Sequence, residues 1–346
     1  MGRRRRGAAA RGLIDALDDL PAIDHHAHLL ARPDSVWSLE ELLTESGDHS
    51  QIPLVADHPA YVRAVRTLVE AFGPGGGGAD LGVLRERHGA ERHARRVLKA
   101  CRFQEILVDD GFRFPGATSL EEHAALAGCP VRRIIRIESE AEAAAAGFPP
   151  FEQMLERIRT SMSEAALEAA ALKTIAAYRY GLDLPSAGRR DARPAYAAWR
   201  AAGGRLKDPD LVAFFLHQAL EAAPQLPLQV HTGLGDRDLD LRSASPLHLR
   251  WIFEDARYRH RPVVMLHCYP FVREASYLAG IYSNAFVDLS MAMTWPAIAE
   301  QTSSWKPWIS PPRPSCCSPP THPGCRSCST WAPGGGGRRS PRPWEG

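Results

Sequence analysis

Several histidines in this sequence stand where metal chemistry could use them. In Ile23-Asp24-His25-His26-Ala27-His28-Leu29, His26 and His28 are two residues apart. Side chains alternate sides along an extended chain, so these two project the same way and can reach one ion. The apolar run 226–230 ends in His231, and the run Val263-Val264-Met265-Leu266 ends in His267. Neutral imidazole is a common ligand for divalent ions, which activate water or polarise a carbonyl. Lys173 lies within the apolar run 171–176, where an amine needs a partner or a modified side chain. Glu138 follows Ile135-Arg136-Ile137, and Asp109 and Asp110 follow the run 104–108. Each of these carboxylates suits a metal, a substrate or an ion pair at the mouth of a site. Asp236, Asp238 and Asp240 come after His231 and predict a polar loop over it, with Asp236 the candidate for substrate contact.

Strands must bring these residues together. Apolar runs at 21–24, 104–108, 131–137, 171–176, 226–230, 262–266 and 285–289 predict seven buried strands. Helical patterns alternate with them, at 41–46, 60–71, 84–99, 119–126, 151–167, 195–202, 209–222, 247–255 and 272–279. Such alternation predicts an α/β fold with a parallel sheet, a (β/α)8 TIM-like barrel of which seven strands are recognisable. The C-terminal strand ends of a barrel face one pocket, so His26, His28, His231 and His267 would converge. Residues 30–100 predict a helical insertion after the first strand, broken by the glycine-rich stretch 73–78.

Composition excludes some partners. Lys and Arg number 42 against 40 Asp and Glu, a net charge of +2, too balanced for nucleic acid or a membrane surface. No run approaches the roughly 20 apolar residues of a membrane-spanning helix. Residues 1–11 carry four consecutive Arg with no apolar core behind them, which predicts a solvated basic tag rather than a signal peptide. Cys101, Cys129 and Cys268 have no framework spacing and suit a reducing cytoplasm. Residues 303–346 differ from all this, with ten Pro, eight Ser, six Gly and no Leu, Val, Met, Phe or Asp. That composition cannot bury a core and predicts disorder. The chain therefore divides into the tag 1–11, a barrel over 12–302 and the tail 303–346.

The ordered set Asp24-x-His26-x-His28, Lys173, His231 and His267 resembles the amidohydrolase superfamily. Val230-His231-Thr232-Gly233-Leu234-Gly235-Asp236, His267-Cys268-Tyr269-Pro270-Phe271 and Ala176-Ala177-Tyr178-Arg179-Tyr180-Gly181-Leu182 resemble, more closely, its glutamine-synthetase-associated FluG-type branch. The resemblance covers roughly residues 12–296. It implies a distorted barrel holding one or two divalent ions, usually zinc, with His26, His28 and His231 as ligands. It also implies that His267 is a ligand or the group that polarises the substrate, and that Lys173 is a carboxylated bridge if two ions bind. Glu138, Asp236 and Arg179 are the residues it leaves for a small-molecule substrate. The implied reaction is hydrolysis of an amide or related C–N bond. A lyase or decarboxylase on the same barrel stays open, as does an inactive barrel that only binds metal.

One family feature is missing. An Asp at the end of an eighth strand is expected to take a proton from the attacking water, yet no Asp follows Asp288. Asp288 itself belongs to the seventh strand. Codons that fit residues 305–318 can, one nucleotide earlier, encode apolar helix and strand patterns, and an Asp can be spelled across Pro320 and Thr321. Residues 303–346 are therefore expected to be an out-of-frame tail. Cys325 and Cys328 have zinc-knuckle spacing, but the adjacent Cys316 and Cys317 make a poor second pair. A barrel of seven strands exposes edges at its first and seventh strands, which would favour a homo-oligomer.

Overall fold

The seven apolar runs form one parallel sheet in chain order: β1 Ala22–His28, β2 Phe103–Asp109, β3 Val131–Arg136, β4 Ala171–Thr174, β5 Leu228–Thr232, β6 Val263–His267 and β7 Ala285–Val287. This computed structural model describes residues 20–33, 38–46, 48–71 and 89–289. The readings for 1–11, 73–78, 303–346 and an eighth strand lie outside them. Each strand pairs with the next, and helices make the crossovers. The sheet curls as a TIM-like half-barrel, and the C-terminal ends of β1 and β7 come round to face each other, with His25 Nε2 3.5 Å from Asp288 Oδ1.

The helices are α1 Leu39–Leu42, α2 Pro59–Ala71, α3 Ala90–Ala100, α4 Leu120–Ala127, α5 Ile137–Ala144, α6 Phe151–Ala165, α7 Ala176–Arg179, α8 Arg189–Ala202, α9 Pro209–Ala222, α10 Arg250–Glu254 and α11 Val272–Ile281. Local chemistry sets several boundaries. Ser119 caps α4 with Glu122 in a reciprocal capping box. Asp208 caps α9 and Pro209 fills its first turn, where no N–H is needed.

Three expected strands are shorter than the sequence predicts, and the run 285–289 already stops at Val287. Ile137 opens α5 and Ala176 opens α7, so the runs 131–137 and 171–176 each end as helix. Both residues are buried, and hydrophobicity alone does not separate a buried strand end from a buried helix start. The helices α5 and α7 and the 3-10 helices at His49–Asp57 and Leu241–Ala244 have no counterpart among the predicted helices. Within the expected insertion, α1, the 3-10 helix, α2 and α3 lie between β1 and β2, which bears out its helical character for the described part.

Packing is uneven. One large apolar cluster runs from Ile135 to Ala285 and joins β3–β7 to α5, α6, α8, α9 and α11. A small one, Leu29, Ile106 and Val108, sits under β1 and β2. Fully burying such a side chain contributes about 1.5–3 kcal/mol, so β3–β7 form the firmer scaffold. No helix among the described residues is long and apolar enough to cross a membrane.

Candidate metal and active site

The site begins with a bulge in β1. Asp24 pairs with Ile106 and Ala27 with Val108, so β1 spends one residue more than β2 between those two pairs. The extra residue falls at His25 and His26, ahead of the His26-x-His28 spacing. Bulges re-aim side chains. Here His25 reaches Asp288, while the His26 and His28 rings lie edge to face with centroids 5.2 Å apart.

Neighbouring strands bring in the other groups. Arg136, Lys173 and Gln229 stand side by side in the register of β3, β4 and β5, and His28 pairs with Asp109 between β1 and β2. The ring of His267 is 5.6 Å from that of His26 and 4.6 Å from that of His231. The structure thus brings together the four histidines and the lysine that the sequence singles out.

Hydrogen bonds fix which imidazole nitrogen faces the centre. The Gln229 amide donates to the His25 carbonyl at 2.7 Å, so its oxygen must accept from His26 Nδ1, 2.8 Å away. His26 therefore carries its proton on Nδ1 and turns the Nε2 lone pair to Lys173 Nζ, at 3.0 Å. His231 Nε2 donates to the Leu234 carbonyl at 2.8 Å, which leaves Nδ1 as its free lone pair. His28 Nδ1 and His267 Nδ1 are sealed from solvent with no hydrogen-bond partner among the described residues.

Charge concentrates on one carboxylate. Asp109 meets Lys173 Nζ at 3.1 Å and accepts three hydrogen bonds from the Arg136 guanidinium, the shortest 2.6 Å. Burial alone would push Asp109 up, but the Lys173 and Arg136 charges overcome it and hold the carboxyl at about 2. Burial lowers Lys173 to about 8, against the pull of Asp109. It also lowers His28 and His267 to about 4, and His26 and His231 well below the usual range, with the Lys173 charge adding to each. All four imidazoles are neutral near pH 7, the form that binds cations.

Neutral imidazoles, two orphaned buried nitrogens and a carboxylate make a donor set that fits a divalent ion. No three His, Cys, Asp or Glu among the described residues close on a single point, however. The position they surround is filled by the Lys173 ammonium, which is 1% exposed.

The expected substrate residues are more dispersed. The Glu138 carboxylate accepts from Thr174 Oγ1 at 2.5 Å and from the Ile175 N–H at 3.1 Å, tying α5 to the end of β4. It sits in the first turn of α5, not at the end of a strand. The Nη groups of Arg179 are held by Glu142, at 2.8 and 3.2 Å. Asp236 is exposed on its loop, where its N–H donates to the Tyr178 hydroxyl at 3.4 Å. The Tyr178 ring lies 4.7 Å from His231, so this loop does border the cluster.

Asp288 lies at the cluster too. Its carboxylate accepts from the His267 N–H at 3.2 Å and is 4.0 Å from His267 Nδ1. The sequence alone marks no role for Asp288, Gln229 or Arg136. Gln229 carried a signal: it is two residues before His231 on an apolar strand, and hence on the same side.

No family model matches the chain. The Protein fluG sequence of Emericella nidulans is 25% identical over 313 residues, which cover 78% of this chain and 36% of that protein's length. A crystal structure from Lactobacillus casei ATCC 334, of a protein proposed to be a metal-dependent hydrolase, superposes with a TM-score of 0.74 at 27% identity, covering 84% of this chain and 79% of that one. A uronate isomerase from Bacillus halodurans C-125 shares the fold at a TM-score of 0.50 and 14% identity, over 82% of this chain and 75% of its own. With strand-end histidines gathered at one end of a parallel half-barrel, the chain is similar in sequence to Protein fluG, of whose length it spans about a third, and in sequence and fold to the Lactobacillus casei protein, and it shares the barrel fold of the uronate isomerase.

Proposed function

We propose that this protein is a metal-dependent hydrolase that cleaves an amide or related C–N bond in a small molecule, with zinc as its ion, in the cytoplasm. The observation that carries this reading is the set of four neutral imidazoles, from the ends of three strands, around one buried lysine. His26, His28 and His231 would hold the ion. When bound, a divalent ion supplies Lewis acidity, lowering the pKa of water and polarising a carbonyl.

The chain's own groups do the rest. Gln229 locks the His26 tautomer, and the Leu234 carbonyl locks that of His231. His267 Nδ1, neutral and with no hydrogen-bond partner among the described residues, can accept a hydrogen bond or a proton at the reacting centre. The Asp288 carboxylate, held by the His267 N–H, is the proton acceptor we assign in place of the family's eighth-strand Asp. Lys173, after its ammonium loses a proton, could bond its neutral amine to carbon dioxide and release a second proton, and the carbamate so formed would be an anionic ligand.

Metal analysis of the purified chain, paired with amine release from a panel of N-acyl compounds, tests the reading. We expect about one or two zinc equivalents, lost in His26→Ala, and turnover that follows zinc content. A metal-free wild-type protein that takes up no zinc, or zinc uptake unchanged in His26→Ala, would overturn it.

A further inference from the structure

Arg136 is held in a way that leaves part of it idle. Asp109 occupies its Nε–Nη2 edge through three hydrogen bonds. Nη1 has no hydrogen-bond partner among the described residues and is not sealed from solvent. The outer edge, where Nη1 and Nη2 point the same way, therefore carries no protein hydrogen bond at Nη1, in a side chain that is 9% exposed. That edge is a planar fork matching the two oxygens of a carboxylate.

Two neighbours shape the surroundings. Gly111 lies so close to this side chain that a Cβ there would stand 2.6 Å from Arg136 Cβ and 2.8 Å from its Cδ. A residue without a side chain is thus needed for Arg136 to take this path. Phe112, next in sequence, covers the guanidinium with its ring centroid 6.0 Å from Cζ, and lies 5.7 Å from the His28 ring. Phe112 is 52% exposed, unusual for a phenylalanine beside a buried charge cluster. It offers an apolar wall leading from the Arg136 fork to the histidines. Asp109, a single negative charge, touches two cations, so an added anion would meet net positive charge.

We propose that Arg136 and Phe112 form a substrate subsite for a carboxylate with a flat apolar body. The carboxylate takes the outer edge of Arg136, the body lies along Phe112, and the scissile bond faces the histidine cluster. The substrate class is then an amide-bearing carboxylic acid. This rests on the histidine cluster being the reacting centre.

The test uses the full chain stripped of metal by a chelator, so that anion binding to a metal cannot contribute. Benzoate and its neutral counterpart benzamide are titrated by saturation-transfer NMR. We expect benzoate to bind and benzamide to bind at least about tenfold more weakly. Arg136→Lys keeps the charge beside Asp109 but removes the fork, and should weaken benzoate by about tenfold or more. Phe112→Ala changes an exposed ring, leaves the fold intact by circular dichroism, and should weaken benzoate several-fold. Equal binding of both probes, or benzoate affinity unchanged in both variants, would overturn the subsite. Zinc uptake by wild type and His26→Ala is measured in parallel. Normal zinc behaviour without benzoate selectivity would sink the subsite alone; loss of the zinc dependence would sink the hydrolase reading.

Discussion

His25 on β1 and Asp288 just beyond β7 stand 3.5 Å apart, Nε2 to Oδ1, although no backbone ladder joins those two strands among the described residues. The hydrogen bond to Asp288 raises the His25 pKa above its ordinary value. The sheet therefore meets itself through side chains that also border the candidate active site. Asp288→Asn keeps the size but removes the charge facing both His25 and His267. It should abolish turnover while leaving zinc content near wild type, read by metal analysis and amine release on the same sample. Full activity in Asp288→Asn would remove Asp288 from the chemistry.

Gln229 acts on a metal ligand without touching the ion. Gln229→Leu removes the acceptor for His26 Nδ1–H and frees the ring to turn or change tautomer. Zinc affinity should fall about 10–100-fold, as measured by competition with a chromogenic chelator. An unchanged affinity would show that strand packing alone orients His26.

The three-charge cluster predicts an order of damage. Asp109→Asn leaves Lys173 and Arg136 facing each other without a counter-charge and should cost about 3 kcal/mol. Lys173→Met leaves Asp109 with its three hydrogen bonds to Arg136 and should cost less. Urea denaturation of the metal-free variants gives the order, and the reverse order would refute the central place given to Asp109.

Gly233 predicts a steric effect that can be separated from a backbone one. Its φ is +66°, and a Cβ there would meet the Tyr269 carbonyl oxygen, part of the turn that carries His267. Gly128 has a similar φ of +70° but nothing within 4 Å. Gly128→Ala should cost about 1 kcal/mol of backbone strain. Gly233→Ala should cost about 1–3 kcal/mol and also weaken zinc binding, because it moves the loops after β5 and β6 apart. Thermal melts and the chelator assay together decide; equal effects from the two alanines would contradict the close approach.

Two histidines remote from the cluster predict acid sensitivity. Burial lowers the pKa of His123 on α4 and of His217 on α9, where His217 stacks on Tyr258. Below the unfolded value of about 6.5 the unfolded chain binds more protons than the folded one, so stability falls as pH drops. The thermal midpoint should decline from about pH 7 to pH 5, and the pair His123→Leu and His217→Phe should flatten part of that decline, the four cluster histidines supplying the rest. A slope unchanged in the double variant would assign the acid sensitivity elsewhere.

The histidine frame was legible because the apolar runs of β5 and β6 each lead into an imidazole, His231 next to last in β5 and His267 last in β6, and because His26 and His28 keep the period of a strand. The scaffold was legible for the same reason, strand by strand. What governs the site was not. Asp109 becomes its electrostatic centre only because β2, β3 and β4 lie side by side, which sequence distance conceals. The motif marks Arg179 as a substrate contact, but sequence distance conceals its partner Glu142, which the structure brings to its guanidinium. The turn of Ile137 from strand into helix was hidden because both states bury an isoleucine equally well.

The candidate ligands come from two unequal packing units. His26 and His28 ride on β1, over the three-residue cluster of Leu29, Ile106 and Val108, whereas His231 and His267 ride on the extensive cluster of β3–β7. A unit with few buried contacts opens more often, so β1 amides should exchange with deuterium faster than those of β5. An ion that needs His26 and His231 together can bind only while both units are closed, and its binding energy then opposes that opening. The protein would therefore register occupancy at its centre as slower hydrogen exchange along its first strand.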